Sequence, residues 1–155
     1  MKEAKFIATQ ELGKLAKWLR ILGHDCVYYD KKETPGLIIR ALRDRRILLT
    51  RSATLTKYKG IRVLVIKHDH VEEQVEQVVQ ELGFALDEEG IFQRCVECNT
   101  LLGDFARDEA KEKVPEYVFQ TQERFKKCPT CDKIFWKGTH WDMVGKWLEE
   151  RKKRQ

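Results

Sequence analysis

The stretch Arg46-Ile47-Leu48-Leu49-Thr50-Arg51 holds three apolar residues in succession between two arginines. Unbroken apolar character is typical of a strand that is covered on both faces, as the strands of a parallel sheet are. The run has the length of a strand and is too short for a buried helix. It therefore predicts a central strand of a parallel sheet at Ile47–Thr50.

Strand and helix patterns alternate on both sides of this run. Further strands are predicted at Lys5–Thr9, Cys26–Tyr29 and Arg62–Lys67. Helices are predicted at Glu11–Leu22, Leu37–Arg43, Ser52–Lys57 and Val71–Leu82. The polar segment Lys31–Gly36, which contains Pro35, is predicted to be a loop. This alternation over residues 1–84 predicts an α/β domain of three layers around a mainly parallel sheet.

The carboxyl ends of the predicted strands are where such a sheet binds ligands. They fall near Ala8–Gln10, Asp30, Thr50–Ser52 and Lys67–Asp69. Arg51 stands at one of these ends, which makes it a candidate contact for an anionic ligand. The net charge of +5 is compatible with a nucleic-acid partner but does not require one.

Four of the five cysteines form two Cys-x-x-Cys pairs, Cys95/Cys98 and Cys128/Cys131, with residues 99–127 between them. Two such turns supply a closed tetrahedral shell of four sulfurs, which is typical of a structural zinc ion. Redox-active pairs, or iron in the same shell, are the alternatives that the spacing leaves open. Cys26 stands alone in a predicted strand and is expected to be a buried apolar residue.

The carboxyl-terminal half, residues 90–155, is predicted to be a zinc ribbon followed by a helix at Trp141–Arg154. Residues 99–127 have room for a hairpin or a short helical detour. The helix residues expected to point inward are Met143, Val144, Trp147 and Leu148. Paired cysteines without a secretory signal indicate a reducing compartment, and no apolar run has the length of a membrane span. We therefore expect a cytoplasmic protein without membrane association.

Several segments together resemble the Mut7-C family, in the family's order and over nearly the whole chain. They are Phe6–Gly23, Arg46–Arg51, the two cysteine pairs, Val114–Val118 and Trp136–Trp141. The resemblance implies a PIN-like ribonuclease domain followed by a zinc ribbon, with RNA as the partner. In a working nuclease of this kind, carboxylates at the strand ends hold Mg²⁺ or Mn²⁺, which activates the attacking water.

The chain departs from the family pattern at these carboxylates. Thr9 and Ser52 stand where the family has acids, and Thr34-Pro35-Gly36 replaces an acidic stretch. Asp69 is the acid that matches the pattern, while two others lie near enough in sequence to be considered as substitutes. The candidate catalytic residues are Asp69, Glu11 and Asp30. Because a hydroxyl cannot replace carboxylate charge, we expect a divalent ion to be held weakly.

The resemblance leads to one first hypothesis and two alternatives. The first is an RNA-binding protein of the Mut7-C type with a degenerate nuclease centre. The alternatives are an active metal-dependent ribonuclease and a protein–protein adaptor that docks a partner through the ribbon. The candidate RNA-binding residues are Lys14, Lys17, Arg20, Arg51 and His140. The first three lie mostly off the apolar stripe of the first predicted helix, and His140 matches the family's Gly-Ser-His-Trp run.

Overall fold

A computed structural model describes residues 4–83, 86 and 88–154. Its amino-terminal half contains a parallel sheet of four strands in the order β2-β1-β3-β4. The strands are β1 (Lys5–Ala8), β2 (Asp25–Tyr28), β3 (Ile47–Thr50) and β4 (Val63–Val65). Ile7 of β1 pairs with Val27 on one side and with Leu48 on the other. The parallel sheet, and the interior place of β3 within it, are confirmed.

Helices cover both faces of this sheet. They are α1 (Gly13–Ile21), α2 (Thr34–Asp44) and α3 (Val71–Leu82). Alternate residues of β1 face opposite layers: Phe6 and Ala8 pack in the core that includes α1 and α3, whereas Ile7 packs in the core that includes α2. All three side chains are fully buried. Burial on both faces explains the continuous apolar runs and confirms the three layers.

The end of α1 depends on a glycine. Gly23 has a φ of +94°, a conformation that side-chain-bearing residues rarely adopt. A Cβ atom at this position would also collide with the backbone carbonyl of Gly90, which passes directly against it. Gly23 therefore both ends the helix and leaves room for the chain that enters the carboxyl-terminal half.

Helix α2 begins earlier than the sequence pattern predicted. Thr34, Pro35 and Gly36 form its first turn, so the prediction of a loop through Gly36 is wrong. The Glu33 side chain accepts a hydrogen bond from the backbone N–H of Gly36 at 2.8 Å, which caps the helix. Proline is well tolerated in a first turn because its missing N–H has no intrahelical partner there.

The carboxyl-terminal half contains an antiparallel sheet in the order β5-β6-β7. The strands are β5 (Gly103–Phe105), β6 (Phe125–Lys127) and β7 (Ile134–Phe135). Two short helices, α4 (Arg107–Ala110) and α5 (Glu116–Thr121), lie between β5 and β6, so the insertion is a helical detour. Its small separate core consists of Ala110, Val118 and Phe125.

The last helix, α6 (Thr139–Lys153), packs on the α/β half. Trp147 lies perpendicular to Trp18 of α1 with ring centroids 5.7 Å apart, and Arg151 pairs with Glu76 of α3 at 2.8 Å. Three of the four residues predicted to face inward are buried, but Met143 is 50% exposed, so the prediction is wrong at that position. None of the helices among the described residues is long and apolar enough to cross a membrane.

A four-cysteine metal centre and a strand-end crevice

The four predicted metal ligands come together. The Sγ atoms of Cys95, Cys98, Cys128 and Cys131 all lie within 4.8 Å of one another. The Cys95 and Cys131 sulfurs are 3.8 Å apart, far beyond a disulfide bond of about 2.05 Å. In a tetrahedral shell with zinc–sulfur bonds of about 2.3 Å, neighbouring sulfurs are about 3.8 Å apart. The cluster therefore has the dimensions to hold a metal such as zinc.

The two turns repeat one backbone pattern, and we name them the first knuckle (residues 95–100) and the second knuckle (residues 128–133). In each, the N–H of the second cysteine donates to the sulfur of the first, at 3.3 Å and 3.5 Å respectively. The next residues, Asn99 and Asp132, have φ values of 67° and 63°, and each donates its N–H to the carbonyl of the first cysteine at 2.9 Å. This repetition aims both pairs of sulfurs at one point.

The thiols of the cluster have unequal acidities. Burial raises the pKa of Cys95 to about 12. Burial also acts to raise the pKa of Cys128, but hydrogen bonds from the Cys131 and Thr130 amides help to outweigh it and lower that pKa to about 7. Because metal ions bind the thiolate form, the lowered pKa of Cys128 favours it as the first ligand for an incoming cation.

The first knuckle lies against the free edge of β2. The backbone N–H of Cys26 donates to the Asn99 side-chain carbonyl at 3.0 Å, and the Cys26 carbonyl accepts from Arg20 Nε at 2.8 Å. Arg20 also donates to the carbonyl of Val96 at 2.7 Å. Unpaired edge strands attract other chains, so the knuckle protects this edge while joining the two halves.

Arg20 therefore differs from its predicted role as an RNA contact. The residue is only 8% exposed, and its guanidinium is committed to backbone carbonyls of β2 and the first knuckle. Desolvation lowers the pKa of this guanidinium. Local periodicity placed Arg20 on the polar side of α1, but the residues that cover it come from the distant carboxyl-terminal half.

The carboxyl ends of β1 and β3 flank the point where the strand order changes direction, which is where such sheets bind ligands. We name this place the strand-end crevice. Glu11 lies there and accepts hydrogen bonds from the Thr9 hydroxyl at 2.6 Å and from the Arg51 backbone N–H at 3.1 Å. Burial acts to raise the pKa of Glu11, but these hydrogen bonds outweigh it and hold the pKa below its usual value.

Arg51 occupies the other side of the strand-end crevice. Its guanidinium donates to the Asp69 carboxylate at 2.8 Å and to the carbonyl of His68. Asp69 itself is 85% exposed, and Asp30 is also exposed, beyond the end of β2. Within residues 4–83, 86 and 88–154, the four cysteines are the only group of three or more potential metal ligands. Arg51 thus contacts both carboxylates of the crevice, Glu11 through its backbone N–H and Asp69 through its guanidinium.

Two further predicted residues, Lys14 and Lys17, are exposed on α1 and line a cleft of about 990 Å³ between α1, α5 and α6. Its walls include Trp18, Trp136 and Trp141, and we name it the aromatic cleft. His140 lies in the first turn of α6, but its side chain is outside the described part of the structure.

Two residues that connect the first knuckle to the α/β half were not predicted to do so. Asn99 could have been suspected from its place directly after a Cys-x-x-Cys pair, where a left-handed residue is needed. Arg94 donates to the carbonyls of Gly23 at 3.3 Å and Asn99 at 2.8 Å. No sequence signal marks Arg94, because its partners depend on how the first knuckle meets β2.

The fold and the site define a class: a three-layer α/β domain with a parallel sheet, joined to a ribbon that carries a four-cysteine centre. Residues 4–148 match the model of the Mut7-C RNAse domain, and the chain belongs to that family. Comparison with curated proteins and with solved structures gives no match.

Proposed function

We propose that this protein binds RNA through a Mut7-C domain whose nuclease centre is degenerate. The observation that carries the proposal is the strand-end crevice, where Glu11 accepts from the Arg51 backbone N–H and the Arg51 guanidinium pairs with Asp69. Within the described residues, no third potential metal ligand joins these two carboxylates. Hard divalent ions need several anionic oxygens, and a guanidinium disfavours a second cation beside it. Glu11 and Arg51 then serve to bind and orient RNA or to hold the loops together, and phosphodiester cleavage is lost.

The metal at the four cysteines is structural in this proposal, and zinc is the ion that the sulfur donors and their spacing favour. A closed shell of four thiolates leaves no position for water or substrate. The ion would fix the first knuckle, which in turn holds Asn99 against β2. Cysteines stay unoxidised and available to a metal in a reducing compartment, so we place the protein in the cytoplasm.

RNA binding is supported by the family and by the aromatic cleft. Lys14 and Lys17 are free to contact phosphates, since neither forms an ion pair within the described residues. Trp136 is only partly buried beside them, and Tyr117 is 70% exposed. Exposed aromatic rings near lysines are typical of surfaces that stack unpaired bases.

The test measures binding and cleavage of a labelled single-stranded RNA by the zinc-loaded protein, with and without Mn²⁺. We expect binding that weakens steeply with salt and no cleavage. Replacing both cleft lysines (Lys14→Gln with Lys17→Gln) should lower the slope of log affinity against log salt by about two. The matched control, Lys57→Gln with Lys59→Gln, removes the same charge from exposed positions outside the cleft.

Each outcome decides one part of the proposal. Cleavage that requires Mn²⁺ would overturn the degenerate centre. Absence of RNA binding at low salt would overturn the RNA partner and favour the adaptor function of the ribbon. Equal slopes for the two double variants would leave RNA binding in place but remove it from the aromatic cleft.

An active ribonuclease is the second candidate, and one observation favours it. Glu11 lies in the strand-end crevice and its pKa is lowered, which supports an ionised carboxylate that could help to hold a cation. In that case Glu11→Gln abolishes Mn²⁺-dependent cleavage. Asp69→Asn does the same if the exposed Asp69 contributes to the site.

A further inference from the structure

A second polar cavity, of about 430 Å³, lies where the first knuckle meets β2. Its lining includes Asp25, Asn99 and Thr100. Four arginines also line it: Arg20, Arg40, Arg46 and Arg94. We name it the arginine cavity. Its guanidinium groups outnumber its single carboxylate, which gives the cavity a positive field suited to an anion.

Three of the four arginines are held in place by bonds within the protein. Arg20 donates to the backbone carbonyls of Cys26 and Val96, and Arg94 donates to those of Gly23 and Asn99. Arg46 donates to the Asp25 carboxylate at 2.7 Å and to the Phe6 carbonyl at 3.1 Å. The cavity wall is therefore built by these bonds and is not a chance meeting of mobile side chains.

Arg40 differs from the other three. It makes no hydrogen bond in the described part of the chain, and its ion pair with Asp44 is long, at 4.0 Å. Its side chain is 42% exposed, so it is accessible from solvent. A guanidinium has five N–H donors in a planar fork, which matches two oxygens of a phosphate.

The position of the arginine cavity relates it to the aromatic cleft. The first knuckle forms a wall of both: Val96 and Glu97 line the cleft, and residues 98–100 line the cavity. A single strand of RNA that crosses this knuckle can therefore present bases to the cleft and a phosphate to the cavity. This continuity favours an RNA phosphate over a free one.

We propose that the arginine cavity binds a phosphate group of single-stranded RNA, with Arg40 as the side chain that contacts the phosphate oxygens. The inference rests on the proposed RNA-binding function and assigns it a second contact. The alternative is that the arginines only offset the negative charge of a metal–thiolate centre. That alternative accounts for Arg20 and Arg94, which bond to the knuckle, but gives no role to Arg40.

The experiment compares Arg40→Gln with Arg43→Gln in the zinc-loaded protein. Arg43 is on the same helix, is 66% exposed and does not line the cavity, so it is a matched loss of charge. Fluorescence anisotropy with a labelled single-stranded RNA is measured over a series of salt concentrations. We expect Arg40→Gln to weaken binding about three- to tenfold and to lower the salt slope by about one, with Arg43→Gln near wild type.

A second experiment adds pyrophosphate alone to wild type, Arg40→Gln and Arg43→Gln. The melting temperature of each protein is measured with and without it. If RNA binds and the two variants have equal affinities and slopes, the cavity site is overturned while RNA binding stands. If RNA does not bind but pyrophosphate stabilises wild type and not Arg40→Gln, the proposed function fails and the cavity takes a small phosphate compound. If neither ligand acts, both proposals are overturned.

Discussion

The side-chain carbonyl of Asn99 accepts a hydrogen bond from the backbone N–H of Cys26 at 3.0 Å. Asn99 follows the first cysteine pair, and Cys26 lies on the free edge of the parallel sheet. The Asn99 amide also donates to the Asp25 carboxylate at 2.6 Å. These two hydrogen bonds connect the metal centre directly to the edge of the sheet, although the two are far apart in sequence.

Removal of the metal should consequently disturb the α/β half as well as the ribbon. Cys128→Ser takes away one of four ligands, and structural zinc is worth about 10 kcal/mol in small modules that fold around it. We expect loss of bound zinc, a lower melting temperature and faster hydrogen exchange at the Cys26 amide. Hydrogen exchange resolved by residue, with zinc content measured in parallel, checks this.

The matched control is Cys26→Ala, which removes a buried cysteine that is not a ligand. It should leave the zinc stoichiometry unchanged while costing some stability. Unchanged exchange at the Cys26 amide after zinc loss would show that the knuckle does not hold the edge.

Asn99 should also matter for two separable reasons, its hydrogen bonds and its left-handed backbone. Asn99→Ala leaves the Cys26 N–H unsatisfied and forces a Cβ-bearing residue without a polar side chain into φ of 67°, at a cost of about 2–4 kcal/mol. Asn99→Gly loses the hydrogen bonds but not the backbone freedom, so it should cost less. Urea unfolding of both variants measures the difference.

The second knuckle provides the control for this prediction. Asp132 has nearly the same φ, 63°, but its side chain is 79% exposed and makes only a 3.6 Å ion pair with Lys127. Asp132→Gly should therefore be close to neutral. A loss as large as that of Asn99→Gly would mean that the two hydrogen bonds of Asn99 contribute little.

Acid should weaken the contact between the first knuckle and β2, because Asp25 of β2 accepts a hydrogen bond from Asn99. Burial acts to raise the pKa of Asp25, but hydrogen bonds from Arg46 and Asn99 outweigh it, so the native pKa lies below its usual value. A lowered native pKa gives stability that is complete above the unfolded pKa of about 4 and is lost as the pH falls through the native pKa. We expect wild type to lose stability in that acidic range.

The variant Asp25→Asn should lack this acid dependence. At neutral pH it leaves Arg46, whose side chain is 11% exposed, with only its longer ion pair to Asp44 at 3.8 Å, at a cost of about 1–3 kcal/mol after allowance for solvent screening. The stability gap between wild type and variant should narrow as the pH falls below about 4. A gap that is constant with pH would assign the stabilisation to packing and not to the charge.

Local patterns predicted the parts of this structure that depend on local contacts. The bounds of β3 and α3 agree with the sequence prediction residue for residue, because burial on both faces and a 3.6-residue period leave clear patterns. The spacing of the cysteines likewise predicted that the four sulfurs lie close together, as they do. The start of α2 was missed because the capping side chain is glutamate, an uncommon choice at that position.

Long-range contacts explain the remaining failures. Arg20 was predicted to be a solvent-facing cation on α1, yet its partners Val96 and Glu97 follow 76 and 77 residues later in the chain. The meeting of Glu11 with the Arg51 N–H depends on the pairing of β1 with β3, which sequence spacing does not reveal. The arginine cavity depends on the docking of the first knuckle for the same reason.

Restoring carboxylates in the strand-end crevice should restore cation binding. Thr9 is 9% exposed with its hydroxyl 2.6 Å from Glu11, so Thr9→Asp places a second carboxylate against the first. Combined with Ser52→Asp, it should give a protein whose melting temperature rises on addition of Mn²⁺, since a ligand that binds only the folded state stabilises it. Without Mn²⁺ the like charges should destabilise this variant.

The control is the isosteric pair Thr9→Asn with Ser52→Asn, which adds the same shapes without charge. It should show no more response to Mn²⁺ than wild type. If the two aspartates produce no Mn²⁺-dependent shift, the crevice is not a vestigial cation site, and the nuclease interpretation of its geometry is wrong.

Helix α6 should stabilise the α/β half rather than the ribbon alone. Trp147 is 7% exposed and meets Trp18 edge to face in the core that also holds β1 and α3. Trp147→Ala should cost about 3–5 kcal/mol, the usual penalty for emptying a buried aromatic site, and should lower the unfolding midpoint of the whole chain in one transition. Met143→Ala, at a half-exposed position on the same helix, should cost less than about 1 kcal/mol. Two separate transitions in Trp147→Ala, with the sheet unfolding at the wild-type midpoint, would show that α6 stabilises only the carboxyl-terminal half.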